Sequence, residues 1–182
     1  MMHDTVVYKA LAAYLNKLPG GFPATEDGVE LRILRKLFTP EQAALAVHLN
    51  MVPEPAHIIA HRAGIPVAET AKQLAQMAEK GLMFCVHREG KAPLYMASQY
   101  VVGIWEFQVN HLDRELIKDM EAYIPHLMEE GWKVPQLRTI PVNQSLDNSI
   151  QVLGYENAEM IVRDQDSLGV APCICRQERH LV

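Results

Sequence analysis

The chain has 182 residues, 49% hydrophobic and 21% charged, and carries a formal net charge of −5. That balance excludes a disordered or fibrous chain and leaves ample apolar material for a buried core. Its longest apolar runs, such as Val101 to Trp105, fall far short of the roughly 20 residues that cross a bilayer, and Met1 to Ala13 lacks the layout of a secretory signal, so the expected address is the cytoplasm.

The charge is unevenly spread. Over residues 31–98 eight Lys and Arg face five acids, whereas over 99–182 seven face thirteen. A mildly basic middle is thin support for nucleic-acid contact, because binding by counterion release needs several clustered cations. Three cysteines, Cys85 alone and Cys173 and Cys175 two apart, make no secreted disulfide framework, so a reduced compartment is expected.

In chain order, Val6 to Leu18 carries apolar residues at helical spacing and stops at Pro19-Gly20-Gly21. Leu31 to Leu37 is apolar with Arg32, Arg35 and Lys36 interspersed. Thr39-Pro40-Glu41-Gln42 reads as a cap, a proline in the first turn and an acid, predicting a helix from Pro40 to about Leu49. Val52-Pro53-Glu54-Pro55 interrupts the pattern. A helix over Ala56 to Ala63 then ends at Gly64, and another over Pro66 to Lys80 ends at Gly81, with Val67, Ala71, Leu74, Ala75 and Ala78 as its buried stripe. Leu82 to Arg88 and Ala92 to Ala97 are strand-like runs joined by Glu89-Gly90-Lys91, a hairpin loop.

Helix, helix, turn, helix and hairpin over 39–98 is the order of a winged helix-turn-helix. The expected fold is therefore mainly α with a small β-hairpin: an N-terminal helix and loop over 1–38, the winged helix over 39–98, and a mostly helical segment over 99–182. In that last segment Val101 to Glu130 predicts a long helix bent near Pro125, Leu137 to Val142 an extended stretch, and Glu156 to Asp166 a further helix. The aromatic-bearing stretch Val101 to Val109, with Ile104, Trp105 and Phe107, reads as core or as a homodimer seam.

The chemistry-bearing features are few. Cys173-x-Cys175 can face one metal or cluster if the backbone between them is extended or turned; otherwise it is a partly buried pair of thiols. An iron–sulfur cluster or structural zinc takes four protein ligands, so two more must come from elsewhere. Cys85 reads as a small core residue rather than a third ligand. His57 and His61 share a helix face but lack the glutamate a zinc protease places after its first histidine, and a solvated face is the simpler reading. His87 and His180 read as isolated imidazoles. If the domain bound DNA, Thr70, Lys72, Gln73 and Gln76 of the second helix and Arg88 and Lys91 of the hairpin would carry the contacts, but Glu69 and Glu79 repel phosphate on the same helix. No glycine-rich phosphate loop, nucleophile elbow or paired-carboxylate pattern is present, so hydrolase and nucleotide chemistry have no support.

Together with the winged-helix pattern, Glu30 to Ala43 and the run Val170-Ala-Pro-Cys-Ile-Cys-Arg176 give the chain a resemblance to the N-terminal region of a family of anaerobic-bacterial 4Fe-4S ferredoxin-type proteins. The resemblance covers essentially all 182 residues. It implies that members continue into further cysteines and a ferredoxin-like module, and that Cys173 and Cys175 are cluster ligands. This sequence stops at Leu181-Val182, ahead of those cysteines, so it reads as a truncated form in which the cluster is incomplete or absent. The implied function is electron transfer with a redox partner protein or an additional ferredoxin domain. In that reading the winged helix serves for docking or dimerisation. The rival expectation is a redox-sensing transcription regulator that uses the same cysteines and reads DNA.

Overall fold

The computed structural model describes residues 2–133 and 154–181. The expected extended stretch at 137–142 lies outside them. The chain divides into two compact units, residues 1–136 with 173–182, and residues 137–172. The sequence-based boundaries at 38/39 and 98/99 both fall inside the larger unit.

That unit is mostly helical. Helices α1 (Met2–Leu15), α2 (Val29–Leu37) and α3 (Pro40–Ala46) come first. Then follow β1 (Glu54–Pro55), α4 (Ala56–Ala63), α5 (Val67–Glu79), β2 (Phe84–Val86), β3 (Leu94–Met96), the single turn α6 (Trp105–Phe107), α7 (Arg114–Glu130) and α9 (Ile174–Leu181). In the smaller unit the described helix is α8 (Tyr155–Arg163).

Local chemistry accounts for most boundaries. The Thr39 hydroxyl accepts from the Gln42 amide at 3.2 Å while the Gln42 side chain accepts from the Thr39 amide at 3.2 Å, a reciprocal cap that starts α3. Gly64 closes α4 at φ 68°, a left-handed turn that costs a residue with a Cβ much more. Asp113 caps α7 by accepting from the Leu116 amide at 2.7 Å.

Three expectations are corrected. The expected two-stranded hairpin is part of a three-stranded antiparallel sheet in the order β1-β3-β2, with Glu54 opposite Tyr95 and Cys85 opposite Tyr95 from the other side. The proline-flanked stretch that read as an interruption is the outer strand, a place where a proline need donate nothing to the ladder. The long helix expected from Val101 does not form: Val101 and Val102 have extended ψ angles of 126° and 127°, and α7 begins only at Arg114. A β-branched pair before Gly103 favours that extended backbone. Pro125 lies inside α7, where the buried residues Leu116, Ile117, Met120, Tyr123 and Leu127 bind the helix to the core on both sides of it.

The core is shared by α1, α2, α3, α5 and α7. α1 packs on α2 and α3, α2 on α7, and α4 on α5. At its centre the Phe22 ring meets Tyr100 at 4.8 Å and Tyr123 at 5.0 Å between centroids. Ile104 and Trp105 belong to this core, whereas Phe107 is exposed and meets the Phe84 ring at 5.1 Å. No helix of the described residues is long and apolar enough to cross a membrane.

Candidate functional site

Cys173 and Cys175 sit at the start of α9. The Cys173 carbonyl accepts from the amides of Arg176 and Gln177, each at 3.1 Å, so Cys173 holds the capping position and Cys175 lies in the first turn. Both thiols are exposed, and Ile174 between them is buried in the main core. One apolar anchor therefore seats the helix beside the turn at Gln108–Asn110 and leaves a sulfur accessible on each side of it. The partly buried thiols that formed the plain alternative are not what the fold contains. The backbone between the two cysteines enters a helix instead of staying extended.

A neighbouring acid shares this seat. Burial, and then the Glu121 carboxylate of α7, raise the Glu178 carboxyl above the ordinary carboxylate range. Among the described residues, no group of three or more His, Cys, Asp or Glu side chains is arranged to hold a metal ion. Cys173 and Cys175 fit the chemistry of a cluster as two accessible thiolate donors, half of the usual four.

The second cysteine region lies in the sheet. Cys85 on β2 is half-buried, and its Sγ lies 3.3 Å from Nε2 of His87. Cys85 packs against the core while half-buried, and His87 is not the isolated imidazole expected. Burial pushes the Cys85 thiol up, so the protonated thiol is the favoured form. The pair opens onto a cleft of about 450 Å³ whose walls include Ala75 and Ala78 of α5, Met83, Phe84 and Phe107. Cys85 lies in β2 and His87 just beyond its end, where continued extended backbone would put positions two apart on one face.

The residues named for DNA reading do not form one surface. Thr70 is fully buried, and its Oγ1 has no hydrogen-bond partner. The buried residues of α5 are Thr70, Leu74 and Met77; of the expected stripe only Leu74 is buried, and Val67 at its start is 51% exposed. A threonine four residues before Leu74 lies on the same helix face whatever its polarity. Gln73 is half-buried, and its Nε2 donates to Glu69 at 3.3 Å. Lys72, Gln76, Arg88 and Lys91 are exposed, as are Glu69 and Glu79. His57 and His61 are exposed on α4. Directly after His61 the informative residue is Arg62, which sequence reasoning missed. Its guanidinium donates to both carboxylate oxygens of Glu54, at 2.6 and 2.9 Å, and also to the His48 carbonyl. That fork ties β1 to α4.

No family model, no curated protein and no solved structure matches the chain.

Proposed function

We propose that this chain is the N-terminal part of an iron–sulfur electron-transfer protein, in which Cys173 and Cys175 supply two thiolate ligands of a 4Fe-4S cluster and residues 39–98 form a winged helix used for docking. The observation that carries the reading is the anchoring of Ile174 in the core with an exposed thiol on each side of it. A cluster, when bound, would carry the electron. The protein's own part is to hold two sulfurs at the surface, against a fixed element, where further ligands and a partner can reach them. Two thiolates are half of the usual ligand set, and the remaining ligands are supplied from outside this pair.

The winged-helix assignment is supported by the order α3, β1, α4, α5, β2, β3 and by the sheet order β1-β3-β2. Docking is favoured over DNA reading by α5 itself. With Thr70 buried, its exposed face offers Lys72 against Glu69 and Glu79, a balance that phosphates do not favour.

The test is anaerobic reconstitution with iron and sulfide, followed by iron counting and visible absorption, of the wild type and of Cys173→Ser/Cys175→Ser. Iron and a sulfur-to-iron charge-transfer band in the wild type only are expected. Equal iron in both would refute the ligand assignment. Salt-dependent binding of a defined duplex, weakened by Lys72→Ala or Arg88→Ala, would instead support the redox regulator.

A further inference from the structure

The cleft beside Cys85 has a property that rests neither on the cluster reading nor on the thiol. We propose that it binds a small organic cation, an ammonium group carrying an apolar body, with the charge facing Glu79 and the body lying against Phe84 and Phe107.

The argument begins with the walls. Ala75 and Ala78 of α5 contribute small apolar side chains, and Met83, Phe84 and Phe107 contribute large ones, around a volume of about 450 Å³. That volume falls in the range of small-molecule sites, which combine apolar walls with a few polar groups. Phe84 and Phe107 remain 38% and 40% exposed even though their rings cover each other. Phe107 can stand at this wall because Gly81 beside it has no side chain, and a Cβ there would run into the Phe107 Cβ.

The charge decides the class of ligand. Among the described residues that line the cleft, Glu79 is the one Asp, Glu, Lys or Arg. No described residue forms a hydrogen bond or ion pair with its carboxylate. Lys80, the next residue, sends its ammonium to Oε1 of Gln42 at 3.4 Å, on the wall of a different cleft. Glu79 is also the last residue of α5, where the negative end of the helix dipole favours a cation. An anionic ligand would meet this carboxylate with no cation between them, and a neutral one would leave it unpaired.

The aromatic walls act in the same direction. The Phe84 and Phe107 rings stand at 81° to each other with 5.1 Å between centroids, and Tyr95 of β3 adds a third ring to the lining. Ring faces carry negative potential and attract an ammonium, the more so when it is partly out of water. A carboxylate among rings selects an alkylated ammonium over a hydrated inorganic cation, because apolar substituents gain from walls that a hydrated ion cannot use.

The probe is benzyltrimethylammonium, compared with neutral benzyl alcohol and anionic phenylacetate on the full chain at low salt. Cys85 lines the cleft, so occupancy is read as slower alkylation of Cys85 by iodoacetamide, mapped by peptide, with Cys173 and Cys175 in the same sample as controls. The expected result is saturable protection of Cys85 by the cation at millimolar concentration, protection roughly tenfold weaker by benzyl alcohol, and none by phenylacetate. Glu79→Gln, a change at an exposed side chain, should weaken the cation about fivefold and leave benzyl alcohol unchanged. Phe84→Leu keeps apolar bulk and removes a ring face, and should weaken the cation about threefold. No protection by the cation, equal protection of all three thiols, protection by phenylacetate as strong as by the cation, or a cation affinity unmoved by Glu79→Gln would each overturn the proposal.

Discussion

The two cysteine regions differ in what the fold does with the sulfur. At the start of α9 the core takes Ile174 and leaves Cys173 and Cys175 to solvent. In the sheet it half-buries Cys85, sets the thiol against His87 at 3.3 Å and pushes its pKa up. Spacing is the same in both places, with the donor residues two positions apart. The backbone decides the outcome: at the end of β2 Cys85 and His87 meet, whereas Cys173 and Cys175 enter a helix start with Ile174 buried between them. The sheet pair is therefore preorganised, and the α9 pair is available to ligands brought from elsewhere.

Three substitutions and one reactivity measurement would break or sharpen that contrast. The largest effect is expected at Gly81, which has φ +70° and where a Cβ would come 2.4 Å from the Phe107 Cβ. Gly81→Ala forces strain and a displaced ring beside the Cys85 cleft, and should cost about 2 to 3 kcal/mol in denaturant unfolding. Cys85 should react faster with iodoacetamide in that variant while Cys173 and Cys175 do not change. An unaltered Cys85 rate would show that Phe107 does not shield the cleft.

Next comes Ile174→Ala, which removes the anchor of α9 and should cost about 2 kcal/mol, the low end for a core isoleucine at the edge of its cluster. Hydrogen exchange should quicken across Arg176 to Leu181 and stay slow in β2 and β3. Uniform quickening would mean that α9 supports the whole unit.

In the wild type, the exposed Cys173 and Cys175 should alkylate at least about tenfold faster than Cys85 near neutral pH, since they are open to the reagent while burial both covers Cys85 and holds its proton. Mass mapping of the modified peptides reads this directly. Cys85 should keep gaining rate as pH rises beyond the ordinary thiol range, because burial holds its proton.

The smallest effect is a gain. Thr70→Val replaces a buried hydroxyl that has no partner with a methyl group of the same shape, and should stabilise the fold by about 1 kcal/mol. It should leave the Cys85 cleft unchanged, although α5 forms one of its walls. A loss of stability would mean that the hydroxyl has a partner in solution.

Reading the residues alone reached the helices wherever a local signal ends them. Thr39-Pro40 starts α3, Gly64 closes α4, and Gly81 follows α5 at the positions expected. It failed where distant contacts decide. β1 is two residues long and exists because β3 lies beside it and Arg62 grips Glu54. Thr70 is buried by its position on the helix and not by its chemistry. The long helix expected from Val101 breaks because extended backbone at Val101 and Val102 leads Ile104 and Trp105 into the core. Among the candidate sites, Cys173 and Cys175 were legible from their spacing, whereas the partnership of Cys85 with His87 required the strand to be read as having an open face.

The most direct test of the contrast is iron content after anaerobic reconstitution of Cys85→Ser and Cys173→Ser/Cys175→Ser side by side with the wild type. The account predicts that Cys85→Ser keeps the wild-type iron and that the double variant loses it. Equal loss in both variants, or loss in Cys85→Ser alone, would contradict the division of roles between the two regions.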